Sequence, residues 1–64
     1  MVYDITIVKN GDNYTFIASD PKTMKTLGIL DTPKQGEKRY TKKNKWKLVE
    51  AETPTQAINI FRKR

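Results

Sequence analysis

Hydrophobic and polar positions alternate from the start of the chain. Over residues 2–9, Tyr3, Ile5 and Ile7 fall on one face, with Asp4 and Thr6 on the other. Period two with β-branched residues predicts a half-buried strand. Asn10-Gly11-Asp12-Asn13 follows, a turn whose Asn-Gly pair readily takes positive φ. Residues 14–19 then alternate again, Tyr14, Phe16 and Ala18 against Thr15, Ile17 and Ser19. The two segments predict a β-hairpin.

The middle of the chain admits two readings. Asp20-Pro21-Lys22-Thr23 fits a type I turn with Pro21 preset at its second position, leading to a third strand over about residues 25–30. The same letters fit a short helix with Asp20 as N-cap, Pro21 at N1 and Gly28 at its end. Thr23 and Thr26 weaken that helix and the segment is short, so the strand is preferred. Residues 31–37, with Pro33 and Gly36, read as a loop. Residues 38–43 either pair with 45–51 across a tight Lys43-Asn44 turn or stay irregular. A last strand is signalled by Trp46-Lys47-Leu48-Val49, an aromatic beside β-formers.

The strongest local signal comes next. Thr53-Pro54-Thr55-Gln56 places Thr at an N-cap, Pro at N1 and Gln at N3. The Thr53 hydroxyl is set to accept the Gln56 N–H, and the Gln56 side chain to return the bond. Ala57, Ile58, Ile60 and Phe61 supply an apolar helix face, and Arg62, Lys63 and Arg64 close the helix at the negative end of its dipole. The expected fold is α+β: one small domain, strand-rich over 2–51, with an antiparallel sheet of three to five strands. A C-terminal helix over about 54–63 packs on one sheet face through Ala57, Ile58 and Phe61. The other face stays open, and its composition decides what the protein binds.

Composition narrows the chemistry. A chain of 64 residues buries only about 60% of its unfolded surface, so the core is modest, the oligomeric state is open between monomer and dimer, and a dimer is worth checking. There is no Cys and no His, which removes disulfides, thiolate zinc sites and the commonest proton shuttle. The opening MVYDITIV has no basic n-region, and Asp4 interrupts its apolar run, so no signal peptide is expected. No stretch approaches a membrane span; a cytoplasmic protein without membrane contact is expected. Asp12, Asp20 and Asp31 sit in expected turns, and Glu50 and Glu52 share a strand face without an acid–base or metal pattern around them. The chain is therefore read as no enzyme, with no metal and no cofactor.

Charge changes the picture most. Residues 34–47 hold six Lys and one Arg against Glu37, while residues 1–33 balance to −1 and residues 48–64 to +1, so nearly the whole net +6 lies in one window. On an extended strand, Lys43, Lys45 and Lys47 project to one side. Asn44, Trp46 and Leu48 project to the other, where Trp46 is expected to anchor in the core beside Leu48. Cations repeating at about 7 Å suit the phosphates of a nucleic-acid backbone. The expected function is a small basic nucleic-acid-binding protein, accessory or regulatory, working mainly through phosphate contacts. Its candidate binding residues are Lys38, Arg39, Tyr40, Lys42, Lys43, Lys45 and Lys47, with Tyr40 as a stacking residue. Ten Lys against three Arg argue against base-specific reading, which would fall to Arg39, Arg62 and Arg64. The alternative is an adaptor or inhibitor module that docks an acidic protein surface.

Strands followed by the helix capped at Thr53, with a basic sheet, make a layout similar to the small arm-type DNA-binding domains of tyrosine recombinases. The resemblance rests on layout and charge without a diagnostic motif, and it implies DNA binding.

Overall fold

Tyr3, Ile5, Tyr14, Phe16 and Ala18 are all buried, and together they make one face of a two-stranded ribbon. The ribbon is formed by β1 (Val2–Asn10) and β2 (Asn13–Ser19), paired antiparallel from Asp4↔Ser19 to Asn10↔Asn13. Gly11 takes φ 61° at the first position of the two-residue turn, where only glycine does so without steric cost. The structure is a computed structural model and describes residues 1–33 and 47–63. It contains a four-stranded antiparallel sheet of order β3-β2-β1-β4 and one C-terminal helix.

Between β2 and β3 (Thr26–Pro33) the chain combines features of both sequence readings. Asp20 Oδ1 accepts the N–H groups of Lys22 at 2.8 Å and Thr23 at 3.3 Å, as a helix N-cap would. The Met24 N–H donates to the Asp20 carbonyl at 2.7 Å, but Met24 has φ 61°, and this left-handed residue ends the turn after one cycle. The preferred strand follows. It runs further than the sequence suggested: Asp31, Thr32 and Pro33 belong to β3 and not to a loop. Two causes extend it. Thr15 donates its hydroxyl to Asp31 Oδ1 across the strands at 2.5 Å. The strand also lies at the sheet edge, where a terminal Pro costs no ladder bond.

On the other edge, β4 (Leu48–Glu50) pairs with β1 through Val2↔Glu50, Tyr3↔Val49 and Asp4↔Leu48. Backbone bonds beyond the strand continue the pairing: Ile5 N–H to the Lys47 carbonyl, and a reciprocal Met1–Ala51 pair. This register buries Val49 and leaves Leu48 58% exposed. The expected phase of the last strand is thereby corrected, since Leu48 stands on the open face. The premise that placed Trp46 in the core beside Leu48 falls with it; Trp46 itself lies outside the described residues. So does the suggested pairing of 38–43 with 45–51, apart from its last residues.

The helix α1 (Pro54–Lys63) begins as its cap predicts: Thr53 Oγ1 accepts the Gln56 N–H at 3.1 Å. Gln56 Oε1 returns its bond to Glu52 N–H at 2.7 Å, one residue before the cap, rather than to Thr53. Ala57, Ile58 and Phe61 are buried against the sheet. Phe61 meets Phe16 edge to face with centroids 6.2 Å apart, and Phe16 meets Tyr14 in the same manner at 6.5 Å. Helix and sheet approach closely at Gly28, where a Cβ would stand 2.6 Å from Pro54 Cβ. The glycine that could have ended a helix is instead the clearance for the start of α1.

Two stability outcomes follow from this packing. Phe61→Ala removes the central helix–sheet contact and is expected to cost about 3–5 kcal/mol in a denaturant titration. An unchanged midpoint would refute the packing. Gly28→Ala forces Pro54 away from β3 and is expected to cost about 1–3 kcal/mol by the same measurement, whereas a neutral result would show that the helix start can shift freely.

Candidate nucleic-acid interface

Of the seven candidate residues, the described part of the chain includes one, Lys47. Lys38, Arg39, Tyr40, Lys42, Lys43 and Lys45 lie outside it. Lys47 immediately precedes β4, and its side chain is 40% exposed. Its Nζ stands 3.6 Å from Asp4 Oδ1, a carboxylate oxygen that is buried and accepts no hydrogen bond. The antiparallel register makes this contact. It sets Asp4 opposite Leu48 on the adjoining strand, one residue from Lys47. Lys47 is therefore a partly neutralised cation, and contact with a phosphate would compete with Asp4. Arg62, one of the three arginines considered for base reading, lies with its guanidinium 5.8 Å from the centre of the Phe16 ring. It serves the helix–sheet contact as a cation over an aromatic face.

The charge balance separates the chain into two parts. Residues 1–33 and 47–63 carry Lys9, Lys22, Lys25, Lys47, Arg62 and Lys63 against Asp4, Asp12, Asp20, Asp31, Glu50 and Glu52, six against six. Residues 34–46 carry five Lys and Arg39 against Glu37, and Arg64 adds the last positive charge, which completes the net +6. The neutral frame thus brackets a cationic segment. That segment joins Pro33 on one outer strand to Lys47 beside the other outer strand.

The face of the sheet away from α1 has a different character. Its cross-strand rows are Leu48–Asp4–Ser19–Thr26, Thr6–Ile17–Ile29 and Val8–Thr15–Asp31. Ile29 and Leu48 are 61% and 58% exposed. Among the described residues this face is apolar and acidic, not basic. A signal for it was present in the alternation that put Asp4 and Thr6 on one side of the first strand, and Thr15 and Ile17 on one side of the second. Among the described residues no group of three or more acidic, His or Cys side chains could hold a metal ion. No helix there is long and apolar enough to cross a membrane. Comparison of the chain with protein-family models, with curated proteins and with solved structures finds no match.

Because Lys47 is half exposed and its ammonium sits beyond hydrogen-bond distance of Asp4, their pairing is expected to contribute under about 1 kcal/mol. A double-mutant cycle with Asp4→Asn and Lys47→Ala, read by denaturant unfolding at low and high salt, measures it. A coupling that is large and indifferent to salt would contradict this assignment.

Proposed function

We propose that the protein binds nucleic acid, chiefly through backbone phosphates, in an accessory or regulatory capacity. Lys38, Arg39, Lys42, Lys43 and Lys45 are the principal contacts, Lys47 is a secondary one, and Tyr40 offers a ring for a base to stack on. The observation that carries this reading is the charge balance: a frame of equal positive and negative charges encloses a segment holding nearly all the excess. A charge skew so local concentrates attraction for a polyanion at one place. The apolar and acidic sheet face supports the same division, because Asp4, Asp31 and Glu50 would repel phosphates there. The preponderance of Lys suits sequence-tolerant binding, since an ammonium is a point charge without the planar fork that reads guanine.

Displacement of condensed counterions provides the test. With about four to six phosphate contacts on duplex DNA, log affinity is expected to fall against log salt with a slope near −4 to −5. Fluorescence anisotropy on single- and double-stranded probes at several salt concentrations measures it. Lys43→Glu combined with Lys45→Glu should abolish binding and leave the unfolding midpoint nearly unchanged. Absence of binding to every probe at low salt would refute the proposal. Nuclease-resistant capture of one stoichiometric acidic protein would transfer the basic segment to a protein-docking role.

A further inference from the structure

Asp4 lies within the sheet, with Ser19 opposite it on β2 and Leu48 opposite it on β4. Thr26 continues that row on β3. None of the three offers a positive charge. The Asp4 side chain is 18% exposed, and its Oδ1 is buried without a hydrogen bond. A carboxylate oxygen so placed has lost water without gaining a donor, and a nearby cation offsets that cost. Lys47 supplies the cation at 3.6 Å. The Lys47 main chain is fixed beside β1, because its carbonyl accepts the Ile5 N–H at 2.9 Å. Only the side chain is left to choose a partner, and at 40% exposure it remains open to an anion from solution.

Given nucleic-acid binding through the basic residues, on which this inference rests, Lys47 has two rival anions. We propose that Asp4 is an autoinhibitory contact: it holds the Lys47 ammonium back, and a backbone phosphate gains that cation only by displacing the carboxylate. The alternative is an ammonium that bridges both anions. Bridging sets two like charges on either side of one cation, and their repulsion offsets much of the gain. Displacement leaves the buried Asp4 oxygen uncompensated, so binding is weakened by as much as the contact stabilises the free protein. For a half-exposed pair that amounts to less than a tenfold change in affinity. The weakening is the same for every sequence, because Lys47 meets phosphate and not base.

Fluorescence anisotropy with a double-stranded DNA probe tests this on the wild type, Asp4→Asn, Lys47→Ala and the two combined. Asp4→Asn is expected to bind about two- to fivefold tighter, with a salt slope steeper by up to about 0.9. Lys47→Ala should then weaken Asp4→Asn by more than it weakens the wild type. Asp31→Asn removes the same charge from the far outer strand, and its effect should be equal with and without Lys47. Far-UV circular dichroism verifies that each variant is folded. An Asp4→Asn variant that binds no tighter than the wild type overturns the proposal, and weaker binding would mean that Asp4 aims Lys47 at phosphate. Tightening that survives in full without Lys47 overturns it too, since Asp4 would then act only as a general negative charge. If either result appears while Lys43→Glu with Lys45→Glu still abolishes binding, the autoinhibitory contact fails and the nucleic-acid reading stands. If no variant binds any probe at low salt, both fall.

Discussion

The fold depends on the contact of one helix with one face of a thin sheet. Phe61 and Ile58 descend onto Phe16 and Ile5, and every large, fully buried side chain of the described protein belongs to this layer or to β4 beside it. Gly28 lets the helix start press against β3, while the Thr53 cap determines where the helix begins. A single-layer sheet has no second hydrophobic core to fall back on. Stability therefore rests on a few aromatic and aliphatic contacts at one interface.

This economy leaves the other surfaces free to differ. The helix covers one face; the opposite face carries Thr, Val, Ile and carboxylates, with Lys47 reaching only Asp4. The frame is electrically neutral, and the excess positive charge belongs to the chain between the two outer strands. Under the proposed function, adhesion to phosphate and cohesion of the described fold would involve different residues.

Local signals were legible in the sequence and non-local ones were not. The β1–β2 hairpin and the capped helix follow from letters within a few residues of each other, and both stand where those letters place them. The segment after Asp20 was ambiguous because its capping bonds are common to a turn and to a helix start; a left-handed Met24 decided between them. The orientation of Leu48 was misjudged because alternation supplies a period but no phase. The phase comes from pairing with β1, a strand more than forty residues earlier. The Asp4–Lys47 contact requires the same knowledge. Of the candidate site the described residues include only Lys47, which is less exposed than Leu48 beside it, and its acidic neighbour was not foreseen.

Native-state hydrogen exchange tests most directly whether one helix–sheet contact organises the whole. If it does, the slowest amides of α1, such as those of Ile58 and Phe61, should open with the same free energy as those of Ile5 and Phe16 in the sheet. All should track global unfolding as denaturant is added. A helix that exchanges well before the strands, by an opening insensitive to denaturant, would show a sheet that stands alone and would contradict this account.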